Sequence, residues 1–429
     1  MKGGKGLNSK ILAIALPAIA SNITTPLLAL SDTAITGHIG DAVYLAAIAI
    51  GGTMFNIVYW VLNFLRMGSG GLTAQACGRG DMTEAASVLW RGMAMALMLG
   101  ALIIACSGSA GTAAVRFLDA DAQTAPLAAR YFGIAVWGAP AVLGNYVLTG
   151  WFLGMQNARA PMWVALATNV VNIALSLWLV LGLGWRIEGV ATGTLTAQWT
   201  GLAIGVMFLR RYRPPLVSWR MLTQGKALRR YFAINTDIML RTLCLVAVTL
   251  WFTRAGARAG VTTLAANALL MQLFMLFSYF MDGFAYAAEA IGGSMHGRDD
   301  RDGMRRLINS LMRWGAVLAI VFAVTYAAAG HSLLRILTDR PEVVACATTY
   351  LPWAVAVPVA GVWAFIWDGI YIGTTRTRAM LAAMAMAMTV FFATWALAGG
   401  RLANHGLWLA FTLYLLTRGA AEWLLFRKP

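Results

Sequence analysis

The sequence predicts an all-α integral membrane protein with twelve transmembrane helices in two six-helix lobes related by pseudo-two-fold symmetry. Three observations carry that expectation. Charged residues are 12% of the 429 positions and hydrophobic residues 60%, against roughly 25% charged in an ordinary soluble domain, and the mean hydropathy is +0.69. Apolar stretches of about 20 residues, enough to cross a hydrocarbon core of roughly 30 Å, recur from end to end. The chain also matches itself when displaced by 219 residues: Leu45-Ala46-Ala47 falls on Leu264-Ala265-Ala266 and Phe55 on Phe274.

The twelve spans centre near residues 22, 57, 98, 139, 170, 199, 241, 275, 317, 358, 388 and 415, and no soluble domain fits between them. The first follows a basic start, MKGGKGLNSK, that resembles a signal peptide. Its apolar segment is too long and lacks a bounding small-residue cleavage site, so retention is expected. Further landmarks keep the same displacement: Gly78-Arg79 on Gly297-Arg298, Tyr131 on Tyr350, Gly150 on Gly369, Gly154 on Gly373 and Arg159 on Arg378. The chain therefore reads as an N-lobe over 1–215 and a C-lobe over 216–429. Six helices per copy insert both copies the same way up, a parallel repeat of the kind that places a substrate site between halves.

The net charge of +16 does not point to nucleic acid. Lys and Arg concentrate in the amino terminus (Lys2, Lys5, Lys10), the even-numbered connections and the carboxyl terminus, and such excess marks the cytoplasmic side. Both termini are expected in the cytoplasm, in a multi-pass protein of the bacterial inner (plasma) membrane. The densest cluster, RRYRPPLVSWR at 210–220 with Lys226, Arg229 and Arg230, joins the two lobes. Orientation and contact with lipid headgroups account for it, and no nucleic-acid partner is expected. Cys77, Cys106, Cys244 and Cys346 stand far apart, as do His38, His296, His331 and His405. Without metal-ligand spacing, the cysteines read as reduced packing residues and neither a metal nor a cofactor is expected.

An ionised side chain at mid-membrane costs at least about 2.5–3.5 kcal/mol, so acids within spans tend to line a cavity or an ion path. Asp32 lies in the first span behind Pro17 and Pro26, whose missing backbone donors tend to kink a helix. A watered helix end is the alternative, because the polar cluster TGHIGD begins four residues later. In the fifth span Asn169, Asn172 and Ser176 share one helical face, and the sixth adds Thr192, Thr194 and Thr196; ordinary interhelical hydrogen bonding is the competing reading. In the second copy Asp282 and Glu289 share a face of the eighth span. Asp368, in the tenth, falls where the first copy has Thr149, so this carboxylate is peculiar to one copy. Asp237 and Arg241, at i and i+4, are expected to pair with each other.

Enzymatic signatures are missing: there is no GxxxxGK[ST], GxSxG or HExxH in the sequence, so the chain is not expected to be an enzyme or to bind ATP for energy. An ion gradient remains the plausible drive. The 17 tryptophans and 22 methionines suit interfacial belts and adaptable apolar packing.

The string SDTAITGHIG at 31–40 with Pro26, GLTAQACGRGD at 71–81, NVVNIALS at 169–176, LAANALLMQLF at 264–274, DGFAYAAEAIGG at 282–293 and WDGIYIGTTRTRAM at 367–380 resemble the multidrug and toxic compound extrusion (MATE) transporters, in their DNA-damage-inducible protein F branch. The resemblance implies a monomeric exporter with a V-shaped cavity between two lobes, moving amphipathic, often cationic compounds out of the cytoplasm in exchange for protons or sodium ions. It carries the main coupling role to Asp32 and its polar neighbourhood to Asn172 and Thr194. One departure bears on the ion. Family members often read NxxLD in the fifth helix, whereas Asn172-Ile173-Ala174-Leu175-Ser176 ends in serine, removing a carboxylate that a hard cation would favour.

Proton-coupled antiport is the expectation, with Asp32, Asn172, Ser176 and Thr194 at the coupling site, and Asp368, Glu289, Asp282, Asn169 and Thr149 lining the substrate cavity. Sodium coupling, or lipid-precursor flipping on related architecture, are the alternatives; flipping would call for a more cationic cavity.

Overall fold

The computed structural model describes residues 3–37, 42–108 and 123–427. Among them every regular element is helical. In order these are α1 (Gly3–Gly37), α2 (Ala42–Leu62), α3 (Phe64–Arg79), α4 (Met82–Ala105), α5 (Thr124–Ala135), α6 (Ala139–Gly154), α7 (Arg159–Leu177), α8 (Ile187–Arg210), the short α9 (Trp219–Leu222), α10 (Gly225–Arg258), α11 (Val261–Gly297), α12 (Arg301–Leu337), α13 (Pro341–Gly373), α14 (Thr377–Leu402) and α15 (Asn404–Arg427). A 3-10 turn, Val136–Gly138, joins α5 to α6, and a π-helical turn, Trp178–Gly182, prolongs α7. Each predicted span centre falls inside one of these helices.

Among the described residues eleven helical stretches are long and apolar enough to cross a membrane, and α8, 24 residues long, completes twelve. Helices dominate because lipid offers a backbone no partner, so each span must satisfy its own N–H and C=O groups. The outward faces agree. Val324 and Leu397 are 61% and 80% exposed, a cost in water that hydrocarbon removes.

Packing divides the chain into two compact units. The N-unit is Ala20–Tyr231; residues up to Ile19, together with Phe232 onward, make the C-unit. The 215/216 boundary therefore follows the repeat rather than the packing, for two reasons. Arg91 of α4 donates Nε and Nη2 to the carbonyls of Leu222 and Met221, at 3.1 and 2.6 Å, drawing α9 into the N-unit. At the other end Ser310 donates to Asn8, and a Cβ added at Gly283 would come within 2.8 Å of the Ala15 carbonyl, so the start of α1 packs on α11 and α12.

The repeat recurs in the structure at the same displacement. In the N-unit α3 packs along α6, and in the C-unit α11 packs along α13. A side chain at Gly150 would strike the carbonyl of Arg66, and one at Gly369 that of Ala285. One turn on, added Cβ atoms at Gly154 and Gly373 would meet the carbonyls of Gly70 and Glu289 at 2.7 and 2.5 Å. These are small-xxx-small contacts that let helix backbones touch. Asp81 caps α4 through Glu84 N–H at 2.8 Å, and Asp300 caps α12 through Gly303 N–H at 2.7 Å. Each cap follows a left-handed residue, Gly80 at φ 75° and Asp299 at φ 56°.

Candidate functional site

In the N-unit the polar face predicted on α7 is real, and it meets α8 on one side and α1 on the other. Asn172 is 2% exposed and donates Nδ2 to Thr194 Oγ1 at 3.1 Å, while Thr194 donates to the Val190 carbonyl at 3.0 Å. Ser176 is fully buried where Gly193 lets α8 close on it; an added Cβ at Gly193 would lie 3.0 Å from Ser176 N. Two acceptors in this contact, Asn172 Oδ1 and Ser176 Oγ, have no hydrogen-bond partner among the described atoms. Buried polar atoms left so are costly, and these two lie one turn apart on α7.

Asn169 joins this face to α1: its Nδ2 donates to the Thr24 carbonyl at 3.3 Å. That carbonyl lies two residues before Pro26, and both Pro17 and Pro26 sit within the α1 run. Asp32 lies further along α1, outside the residues whose side chains are described, and His38 and Lys2 lie outside the described residues. Of Thr192, Thr194 and Thr196 on α8 only Thr194 bonds Asn172; Thr196 is exposed and bonds the Thr192 carbonyl. Thr149 is half-buried on α6, beside Gly150.

The C-unit holds charge instead. Asp368, 7% exposed on α13, accepts on one carboxylate oxygen, Oδ2, from Nη2 of Arg241 on α10 and Nη2 of Arg418 on α15. Arg418 also lies 3.8 Å from Glu422, which is fully buried. Tyr371 packs into the same contact and donates to the Glu422 main-chain carbonyl at 2.7 Å. The pairing expected between Asp237 and Arg241 is corrected here. Arg241 reaches across to Asp368, and Asp237 accepts from Thr377 Oγ1 at 2.7 Å. Helical spacing makes i,i+4 partners neighbours only when no better partner faces them across a helix crossing.

Arg418 and Glu422 were not singled out in the sequence, although an Arg and a Glu one turn apart inside an apolar span are the signal that could have found them. None of the network's charged residues has a charged counterpart in the first copy: Asn22, Thr149, Trp199 and Ala203 stand at the equivalent positions. On α11 Glu289 is 1% exposed and Asp282 half-buried. Within the contact itself the two arginines balance Asp368 and Glu422 in formal charge.

The MatE family model matches residues 17–178 and 238–397, one copy of the repeat each. Over 418 residues the chain is 38% identical to DNA damage-inducible protein F of Escherichia coli K12, covering 97% of this chain and 91% of that one. It is 27% identical over 429 residues to a probable multidrug resistance protein NorM of Bradyrhizobium diazoefficiens, covering 94% and 89%. Its fold is similar to that of the Vibrio cholerae MATE transporter VcmN in the bent form, at TM-score 0.90 and 16% identity over 100% of this chain and 98% of the other.

Proposed function

The chain belongs to the MATE family, a family of transporters rather than enzymes, and on that premise we propose that it is a secondary active multidrug exporter driven by proton antiport. The cargo class is small amphipathic organic compounds, often cationic, moved out of the cytoplasm across the bacterial inner membrane by a monomer with both termini cytoplasmic. The names of its relatives support multidrug export.

One observation supports a coupling site in the N-unit above the rest: the α7 face that buries Asn172 and Ser176 also holds, through Asn169, the α1 backbone beside Pro26. Asp32 is the proposed proton carrier on that helix. Uncharged, its carboxyl is a donor of the kind that Asn172 Oδ1 and Ser176 Oγ lack; charged, it is not. Proton binding would thus change how α1 is held against α7 and α8, and a ligand shifts a two-state protein only through such differential affinity. Ser176 in place of an acid supports protons over sodium, because a hard cation would lose a charged oxygen.

Asp368, Glu289, Asp282, Asn169 and Thr149 are the proposed cavity residues. Asp368 already has two guanidinium partners, so a cationic cargo would have to displace one to reach it, and its attraction falls mainly to the acids of α11. The test is dye efflux from proteoliposomes under separate gradients. Asp32→Asn should abolish ΔpH-driven efflux while the protein still inserts. Full efflux in that variant would end the proton reading, and efflux that follows a sodium gradient at fixed pH would replace it with sodium coupling.

A further inference from the structure

A cavity of about 230 Å³ opens in the N-unit where the chain leaving α9 meets α3 and α4. Three cations, Arg91, Lys226 and Arg230, line it with a single acid, Glu84, and Leu72 and Val88 supply an apolar wall. Two of the cations are fixed. Arg91, 6% exposed, is held by the carbonyls of Met221 and Leu222 and lies 3.5 Å from Glu84. Arg230 donates Nη2 at 3.0 Å to Oε1 of Gln75, which is 2% exposed. Glu84, Val88 and Arg91 fall on one face of α4, so charge and apolar surface are presented together.

The chain just before this cavity is built for an interface. Leu216 and Trp219 are 93% and 75% exposed, and they stand among Arg210, Arg211, Arg213 and Arg220. Exposed apolar side chains interleaved with arginine suit the headgroup layer, where tryptophan is enriched and each Lys or Arg near an anionic surface adds about 1 kcal/mol. We propose that the cavity binds the phosphate of an anionic phospholipid headgroup. Lys226 and Arg230 contact the phosphate, buried Arg91 adds fixed positive potential, and Leu72 and Val88 take the first apolar part of the lipid. The bound lipid pins the connection between the two copies of the repeat to the membrane surface.

The test titrates full-length purified protein in detergent with phosphatidylglycerol, phosphatidylcholine or inorganic phosphate, reading bound lipid by native mass spectrometry and the unfolding temperature in parallel. Phosphatidylglycerol should bind and raise the unfolding temperature, with the other two ineffective. Lys226→Ala with Arg230→Ala should weaken that binding about 30-fold, as about 1 kcal/mol per cation implies. Arg254→Ala with Arg258→Ala, at a separate basic cavity, should leave it unchanged. Equal binding by the Lys226/Arg230 variant overturns the site, and equal stabilisation by inorganic phosphate or by phosphatidylcholine overturns the anionic lipid as its ligand. Because the readout is binding, the result stands apart from whether protons drive export.

Discussion

Arg418 meets Asp368 inside the C-unit, its Nη2 donating to Oδ2 of the carboxylate, and the two are 4% and 7% exposed. Arg241 binds the same oxygen. In such a site the loss of one partner is worse than the loss of a pair, because it strands an uncompensated buried charge at a cost of about 3–5 kcal/mol. Asp368→Asn should therefore lower the unfolding temperature in detergent sharply. Asp368→Asn combined with Arg418→Gln should cost less than the sum of the single changes. Strict additivity would show that the two side chains do not act as a pair.

The paired glycines give a second prediction. Gly150 and Gly369 lie at equivalent crossings, against the carbonyls of Arg66 and Ala285. Replacing either by valine forces rigid backbone apart, so each should lower stability by at least the about 1–3 kcal/mol typical of overpacking. Gly6→Val, where nothing lies within 4 Å, should be near neutral. Thermal unfolding of the three variants decides it. A tolerated Gly369→Val would mean that α11 and α13 are not held as closely as α3 and α6.

Equivalent caps should have equivalent worth. Asp81→Ala and Asp300→Ala each remove a side-chain acceptor from a first helical turn, exposed at Asp81 and part-buried at Asp300, and should each cost about 1 kcal/mol. Asparagine, which caps nearly as well, should restore most of the loss in both. Unfolding temperatures of the four variants test this, and a loss confined to one copy would show that the two turns differ in role despite their shared geometry.

The spans and the repeat were legible because lipid imposes one strong rule, long apolar helices, and because a duplicated chain repeats its turn chemistry: Gly80 and Asp299 both take left-handed backbone one residue before a capping Asp. The polar face of α7 was legible too, since helical spacing puts Asn169, Asn172 and Ser176 together, whereas Thr194 as the partner of Asn172 followed only from the family resemblance. The charged knot was not. Asp368 lies 127 residues from Arg241 and 50 from Arg418, and no local rule says which helices bring them together. Asp237 and Arg241 show the cost of trusting the local rule, for the crossing of α10 with its neighbours gave each a partner elsewhere. The packing boundary was equally hidden, because it depends on Arg91 reaching the carbonyls of α9 rather than on composition.

The proposed choice of protons over sodium rests in part on Ser176, and the packing of that side chain makes the proposal testable. The side chain is fully buried against Gly193, so Ser176→Asp adds both volume and a second carboxylate to a closed α7–α8 contact. Overpacking of about 1–3 kcal/mol should lower the unfolding temperature in potassium. If the missing acid is what keeps sodium out, sodium at equal ionic strength should recover part of that loss, because a ligand that binds only the folded state stabilises it. Wild type should show no difference between the two salts. Equal unfolding of Ser176→Asp in both salts would mean that the serine is not what decides between the ions, and the case for protons would then rest on Asp32 alone.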